Sequence, residues 1–417
     1  MIPSDITFSC VDRFLKYVKY DTQSQEDSST FPSTLKQKVL GEELVKELKE
    51  IGLQDVEMDE YGYVTGTLPA TTDKENVPVI GFIAHMDTSP EVSGKDVKPV
   101  LHENYDGKDI VLPEDPEIVI SVDHNPDLKD KVGETIITAD GTTLLGADNK
   151  AGIAEIFDAM QYLVKHPEIK HGKIRVCITP DEEVGQGTKF FNVEKFGADY
   201  AYTVDGEQLG TIENETFCAD SITFTFKGVN IHPGFAKDRL VNSIKVAAAF
   251  LDSLPKDRLS PETTEKKEPY VHPYVLNGGI EETMVKMLLR SFETEELREE
   301  EAELRSLADA AVAKFPKSSV EVKVEESYRN MRFILDDHPY IMENAKEAME
   351  RIGIEPHIGS IRGGTDGSRL SYMGLPCPNI FAGEHSFHSK TEWVSVQDMQ
   401  KAVLTVINIA MIWEEKA

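Results

Sequence analysis

Short, uninterrupted apolar runs separated by amphipathic helices are the strongest constraint on how this chain can fold. They predict strands at Val79–Ala84, Lys173–Thr179, Tyr200–Val204 and Pro378–Ala382. Apolar runs of this length, without polar alternation, are typical of strands buried on both faces of a helix-covered sheet. We therefore expect an α/β fold built on a helix-covered mixed sheet.

Helical periodicity surrounds these strands. The spacing of apolar residues predicts helices over Asp5–Tyr20, Ser33–Ile51 and Lys150–His166, and the second of them is expected to stop at Gly52. The stretch between the helix that ends at Ile51 and the strand Val79–Ala84 is interpreted as an acidic loop. Near the end of the chain, Ser395 is the expected N-cap of a closing helix.

The stretch between about Glu215 and Glu326 has a different pattern. Its segments predict the order strand–helix–strand–strand–helix–strand, which is the ferredoxin-like unit. Because a complete small fold interrupts an α/β chain, we predict a catalytic domain over 1–215, an inserted domain over 216–326 and the rest of the catalytic domain over 327–417. The predicted elements of the insert are Ser221–Lys227, Arg239–Leu254, Tyr270–Asn277, Met284–Phe292, Thr294–Phe315 and Ser319–Glu326.

Composition excludes several classes of protein. The 417 residues carry 44 Lys and Arg against 74 Asp and Glu, so the formal net charge is −30 at pH 7. Such a surface repels phosphate backbones, and we expect no nucleic-acid partner. No apolar run approaches the roughly 20 residues of a membrane span, and the start lacks the apolar core of a secretory signal. Widely spaced cysteines without a CxxC pair fit a reducing compartment, so we expect a cytoplasmic protein without a membrane partner.

Polar clusters follow all four predicted strands, and a fifth lies just before the helix that begins near Lys150. In open α/β sheets, functional sites gather at the carboxyl ends of the strands, so we expect these clusters to meet at one edge. The clustered residues are His85, Asp87, Asp148, Glu182, Glu183, Asp205, His385 and His388.

The donor types in these clusters indicate a metal centre. Histidines and carboxylates without cysteine suit a divalent ion such as zinc, with cobalt or manganese as alternatives. A bridging carboxylate, with one histidine and one acid for each ion, makes a two-metal site of the kind found in aminopeptidases. Because adjacent residues leave a strand in different directions, one of Glu182 and Glu183 can face a metal while the other acts as general base for hydrolysis.

Each residue taken singly also has a structural explanation. Asp148 reads equally well as a helix cap, and Asp205 as a turn residue. The Glu182–Glu183 pair fits a solvated helix start, where the helix dipole favours acids. The joint pattern, rather than any one residue, favours the metal centre.

Motifs along nearly the whole chain resemble the M20 family of metallopeptidases. The matching blocks occur in the order expected for that family and extend from Tyr20–Ser24 to the loop that contains His388. Between these ends they are His85–Thr88, Leu145–Gly152, Thr179–Glu183, Tyr202–Gly206, Asn230–Gly234, Ile361–Ser368 and Gly374–Asn379.

The resemblance implies two zinc ions per subunit, with cobalt or manganese as substitutes. It assigns His85 and Asp205 to one ion and Glu183 and His388 to the other, with Asp148 bridging the two.

The resemblance also implies three residues that serve the reaction. Asp87 would orient the metal-binding imidazole, Glu182 would be the general base, and His232 of the inserted domain would stabilise the oxyanion. A turn histidine is the structural alternative for His232. Substrate contacts are implied for Asn242, Arg290 and Arg362. For the two arginines, a surface charge or a salt bridge fits nearly as well.

The implied activity is that of a two-zinc aminopeptidase that removes the first residue from short peptides, above all tripeptides. The inserted domain would serve as a lid or dimerisation domain, which makes a homodimer possible. The alternatives are another M20-type amidohydrolase, such as a carboxypeptidase or an N-acyl deacylase, and a non-enzymatic binding protein.

Three residues depart from the family pattern. Asn149 stands where a second acid is common, and Glu207 and Glu384 stand where small residues are usual. Two extra carboxylates near the cleft bear on how the amine of the peptide is recognised.

Overall fold

A computed structural model describes residues 6–417, which form both helices and strands. Among these residues, no helix combines the length and the apolar character needed to cross a membrane. The α-helices are α1 (Cys10–Tyr17), α2 (Gln37–Ile51), α3 (Ala147–Lys165), α4 (Val193–Phe196), α5 (Ser243–Ser253), α6 (Thr294–Ala313), α7 (Arg332–Leu335), α8 (Pro339–Glu350), α9 (Asp366–Tyr372) and α10 (Val396–Glu415). The strands are β1 (Gln54–Met58), β2 (Val64–Leu68), β3 (Ile80–His85), β4 (Val100–His102), β5 (Ile110–Val111), β6 (Val119–Ile120), β7 (Ile136–Thr138), β8 (Ile174–Thr179), β9 (Tyr200–Gly206), β10 (Thr211–Thr216), β11 (Cys218–Lys227), β12 (Tyr270–Gly278), β13 (Glu282–Ser291), β14 (Ser319–Tyr328), β15 (His357–Ile361), β16 (Asn379–Phe381), β17 (Glu384–His385) and β18 (Trp393–Ser395).

The described chain divides into two units. The first contains the residues up to Asn214 together with Met331–Gly359 and Thr365–Ala417, and the second contains Glu215–Asn330 with Ser360–Gly364. Ser360–Gly364 was predicted to belong to the last part of the catalytic domain, whereas this short segment groups with the second unit. The role of the inserted domain as a lid or dimerisation domain stays a prediction.

A mixed sheet organises the first unit, in the order β1-β2-β8-β3-β9-β16-β10-β15. Its central strands β8, β3, β9 and β16 run parallel, whereas β2 and β10 pair with them antiparallel. All residues of β3 and β8 are buried, as their continuous apolar sequences predict. The helix α3 packs against β3, β9 and α10. The predicted helix-covered mixed sheet is therefore confirmed.

The second unit is a four-stranded antiparallel sheet in the order β12-β13-β11-β14, with α5 and α6 packed against it. Phe224, Phe226 and Phe250 form part of its buried core. Strand order and element order are those of the ferredoxin-like fold, which confirms the predicted fold class of the insert.

Three predicted helices begin earlier than the observed ones. The helix predicted from Asp5 begins at Cys10, because the N–H and hydroxyl of Ser9 bind the carboxylate of Asp158 instead of continuing a helix. Asp5 itself lies outside the described residues. In the same way, α2 begins at Gln37 after a turn, and α5 begins at Ser243 because Asn242 is its N-cap. By contrast, the predicted N-cap Ser395 is confirmed: its hydroxyl accepts from the N–H groups of Gln397 and Asp398.

The predicted acidic loop after the second helix is wrong. This stretch forms β1 and β2, with β1 at the sheet edge and half exposed, which explains its polar sequence. A small sheet in the order β17-β18-β7-β4 was also not predicted. Its strands are two or three residues long, too short to show a period.

Candidate metal centre

Three neighbouring parallel strands place polar side chains at one edge of the large sheet. In the strand order β8-β3-β9, β3 ends at His85, β8 ends at Thr179 just before Glu182, and β9 carries Asp205 near its end. Because the strands run parallel, their carboxyl ends meet at this edge, as predicted from the sequence.

His85, Asp148 and Asp205 form the first of two groups whose donor atoms could hold a metal ion. One donor atom from each of the three lies within 4.8 Å of the others. The Nε2 of His85 is 2.8 Å from Asp148 Oδ1 and 3.3 Å from Asp205 Oδ1. One nitrogen and two carboxylates are a donor set that divalent zinc accepts.

Asp148, Glu183 and His388 form the second group, with the same 4.8 Å limit. The Nε2 of His388 is 2.6 Å from Glu183 Oε2 and 3.2 Å from Asp148 Oδ2. Asp148 therefore turns one carboxylate oxygen to each histidine. A carboxylate shared in this way is the geometry that a bridging ligand requires.

Asp148 is not a helix cap, which was the structural alternative for it. Its backbone dihedrals and those of Asn149 are non-helical, so both lie ahead of the regular part of α3, and the helix has Gly146 as its N-cap. The side chain is directed to the two histidines instead.

The carboxylates of the two ligand groups shift the pKa values of their neighbours. Burial opposes the protonated form of His85, but the carboxylates of Asp205, Asp148 and Asp87 outweigh it and raise its pKa well above the ordinary value. Burial and the nearby Asp148 raise the pKa of Glu183 to about 8. Buried carboxylates that disfavour each other's ionised form create a strong local demand for cations.

Asp87 joins the first group to the segment that carries the two glutamates. Its Oδ1 lies 3.3 Å from His85 Nδ1, and its two oxygens accept hydrogen bonds from the N–H groups of Glu182 (3.1 Å) and Glu183 (3.2 Å). The side chain is fully buried. A carboxylate on the second nitrogen of a ligating imidazole fixes its tautomer, which fits the role implied for Asp87.

Glu182 and Glu183 belong to a short 3-10 turn, Glu182–Val184, rather than to a solvated helix. Burial, and then the carboxylates of Asp205 and Asp366, raise the pKa of Glu182 well above its ordinary value, against the opposing effect of His85. A carboxyl group with a raised pKa beside the ligand groups is suited to accept and return a proton.

Glu392 is a residue of the site that sequence reasoning missed. Its buried carboxylate accepts from the N–H groups of Leu145 and Gly146 at 2.7 Å each and from that of Asp148 at 3.0 Å. It thereby fixes the loop that presents the shared carboxylate. In the sequence, Glu392 is one of 74 acidic residues, and no periodicity or motif distinguishes it from the others.

Two other buried acids lie in the recognised motifs but were not predicted to have a role in the site. Asp181 accepts from the side chains of Ser33 and Gln37, and Asp366 accepts from the hydroxyl of Thr179 at 2.7 Å. Each ties a different part of the chain to the end of β8 and so fixes the segment ahead of Glu182.

His385 belongs to neither group, although it stood in one of the predicted clusters. Its ring stacks on Trp393 at 3.8 Å between centroids, and its Nδ1 is 3.5 Å from Asp127 Oδ2. Burial lowers the pKa of His385 to about 3, so the stacked ring is neutral.

The remaining predicted residues lie in the second unit. His232 is exposed, and its Nδ1 accepts from the N–H of Gly234, whereas the Oδ1 of Asn242 caps α5. Arg290 donates to the carbonyls of Asp220 and Leu289. Arg362 donates to the carbonyls of Lys266 and Glu268 and lies over the rings of Phe217 and Tyr270. These contacts are local to the unit, and the substrate roles stay predictions.

The donor atoms fit divalent ions in number and kind. Each group supplies one imidazole and two carboxylates, and the Oε1 of Glu183 is buried without a hydrogen-bond partner among the described residues. A buried carboxylate oxygen without a donor is costly unless a cation fills its place.

Comparison with known proteins agrees with this geometry. The profile of Peptidase family M20/M25/M40 matches residues 138–411. A relative from Caldanaerobacter subterraneus subsp. tengcongensis, named Peptidase T, is 50% identical over 406 residues, which is 97% of this chain and 99% of the relative.

Two solved structures share the fold over nearly the whole chain. Aminopeptidase PepT from Bacillus cereus superposes with a TM-score of 0.74 at 25% identity, covering 97% of this chain and 98% of that one. A tripeptidase from Staphylococcus aureus gives a TM-score of 0.75 at 23% identity, with the same coverage. The chain belongs to Peptidase family M20/M25/M40.

Proposed function

We propose that the chain is a zinc-dependent aminopeptidase that removes the first residue of tripeptides. The observation that carries the proposal is the position of Asp148, whose two oxygens face the histidines of two separate ligand groups. A pair of divalent ions that share one carboxylate is the arrangement used by hydrolases that cleave peptide bonds.

The reaction divides between the ions and the side chains around them. His85 and Asp205 would hold one ion, Glu183 and His388 the other, and Asp148 both. Bound there, the ions supply Lewis-acid polarisation of the scissile carbonyl and of the attacking water. Zinc is proposed because its preferred donors are imidazole and carboxylate, and cobalt or manganese would serve as substitutes.

Glu182 is the proposed general base. It would take a proton from the attacking water and deliver it to the amine that leaves. Its chain neighbour Glu183 belongs to a ligand group, and Asp87 holds the backbone N–H of both residues, so base and ligand are fixed by one carboxylate. Its buried surroundings raise the pKa of Glu182 above the ordinary carboxyl range. A raised pKa suits a carboxyl group that must first accept a proton from water and then donate it to the leaving amine.

The names of the relatives support the choice of substrate. The relative at 50% identity is called Peptidase T, and the two structures of similar fold are called an aminopeptidase and a tripeptidase. We extend these activities to this chain as the proposal, together with a cytoplasmic location and a homodimer through the second unit.

A peptide panel tests the proposed function. The zinc-loaded protein is given a free tripeptide, the matching dipeptide and tetrapeptide, the N-acetyl tripeptide and the tripeptide amide, and products are identified by mass spectrometry. We expect release of the first residue from the free tripeptide above all. Release of the last residue would indicate a carboxypeptidase, and removal of the acetyl group would indicate a deacylase; either outcome contradicts the proposal. Light scattering on the same sample tests the dimer.

A further inference from the structure

Glu384 is a buried carboxylate that the proposed chemistry does not use. Its residue is 2% exposed, and its Oε1 has no hydrogen-bond partner among residues 6–417. A buried carboxylate oxygen without a donor is costly unless a donor or a cation reaches it.

The surroundings of Glu384 are those of the metal centre. Its electrostatic neighbours are the carboxylates of Asp148, Asp205 and Glu392 and the imidazole of His85. Burial, followed by the first two of these carboxylates, raises its pKa well above the ordinary value. A cation that binds next to a buried carboxylate with this charge environment is stabilised by it.

Glu207 extends this negative region to the surface. The N–H of Gly383 donates to the carbonyl of Glu207 at 3.0 Å, so the segments that carry the two acids run side by side. Glu207 is exposed, and its electrostatic neighbours include Asp148. One exposed and one buried acid therefore lie on adjacent segments, and both have Asp148 among their electrostatic neighbours.

We infer that Glu384, assisted by Glu207, binds the α-ammonium group of the peptide substrate. The inference rests on the proposed function and deepens it, because it names what makes the cleavage specific for a free amino terminus. The unpaired buried oxygen supplies an acceptor that a –NH₃⁺ group satisfies. Glu207 attracts the same charge from the surface.

The test compares trialanine with its desamino analogue, which lacks only the α-amine. The variants are E384Q, E207Q and, as a matched control, E155Q. Glu155 is also fully buried, and neither of its carboxylate oxygens has a hydrogen-bond partner in the described part of the chain, but its charged neighbour is Asp398 rather than the metal centre.

E384Q is expected to lower kcat/KM for trialanine by about 30-fold or more, which is the lower end of the loss seen when one member of a buried charge pair is neutralised. The value for the desamino analogue should stay within about twofold, since no charge is left to recognise. When the analogue is turned over too slowly, its inhibition constant replaces kcat/KM. E207Q should cost about threefold and weaken the salt dependence, because an exposed charge acts mainly through long-range attraction. E155Q should not alter the ratio between the two substrates.

Several outcomes would overturn the inference. Both substrates losing the same factor in E384Q would indicate a general structural or catalytic role, and loss of a metal ion from E384Q would make Glu384 a ligand. If E384Q and E207Q keep the wild-type preference for trialanine over the desamino analogue, and wild type cleaves trialanine, amine binding by these residues is refuted while the proposed function stands. Equal cleavage of both substrates by wild type would instead refute the aminopeptidase proposal. If E384Q does not fold, E207Q provides the test: an unchanged kcat/KM for trialanine with an unchanged salt dependence would overturn the inference.

Discussion

The backbone N–H of Glu182 donates to Oδ1 of Asp87 at 3.1 Å, so the proposed base is positioned by the same carboxylate that lies against His85. One buried side chain thus couples the geometry of a ligand to that of the base. Replacement of Asp87 should therefore affect both metal affinity and turnover.

D87N tests this coupling. Because an amide presents one acceptor oxygen instead of two, the variant should lower metal affinity about 10- to 100-fold and reduce kcat further when metal is saturating. Isothermal titration with Zn²⁺ and steady-state kinetics measure the two effects. Asp158 supplies the control, since it too is a buried carboxylate that accepts backbone N–H groups, those of Ser9 and Cys10. A D87N variant indistinguishable from D158N would contradict the coupling.

Glu182 should be essential for turnover but not for metal binding. E182Q keeps the size of the side chain and removes the proton acceptor, so kcat should fall by about 10²- to 10⁴-fold. Metal content, measured by mass spectrometry on the same preparation, should equal that of wild type. Turnover close to wild type would rule out the role of general base.

Glu392 should control the affinity of the centre for metal through the loop that it holds. E392A leaves three buried N–H groups, including that of Asp148, without their acceptor. We expect about a 10- to 100-fold loss of metal affinity, as for other residues that orient ligands. Unchanged zinc affinity in a folded E392A variant would show that the loop is positioned without Glu392.

The second unit carries a pH-dependent element of stability at Glu300, which is 5% exposed. Burial, with the charges of Glu296, Glu303 and Asp220, raises its pKa to about 9 from an ordinary 4.5. Because the folded-state pKa lies above the unfolded one, the contribution to stability is complete below pH 4.5 and is lost as the pH rises towards 9.

Urea unfolding of wild type and E300Q between pH 5 and 9 measures this contribution. The wild type should lose stability relative to the variant by at most about 1.4 kcal/mol per pH unit. E299Q, at an exposed position on the same helix, is the control and should follow wild type. Parallel pH profiles for E300Q and wild type would contradict the assignment.

The strongly periodic or uniformly apolar parts of the fold were predictable from the sequence. The run at Val79–Ala84 is found as the buried strand Ile80–His85, because a continuous apolar run this short is typical of a strand covered on both faces. Ser395 was recognised as an N-cap because its hydroxyl satisfies N–H groups that lie next to it in the chain. Both signals are local.

What escaped prediction depends on contacts distant in sequence. Glu392 binds N–H groups of a loop 244 to 247 residues earlier, and no local pattern marks an acid with such a partner. The edge strand Gln54–Met58 was missed because one side of it faces solvent and leaves its sequence polar. The proposed ligand residues could be singled out because they follow recognisable strands, whereas the residues that position them carry no such local signal.

The most direct test of the central account is the number of ions that the shared carboxylate of Asp148 supports. Metal-free protein is titrated with Zn²⁺ while bound zinc and release of the first residue from a tripeptide are measured on the same sample, for wild type and D148N. We predict that wild type binds two ions per chain and cleaves the peptide, and that D148N loses both the second ion and activity. A single ion in wild type, or peptide cleavage by the metal-free protein, would contradict the account.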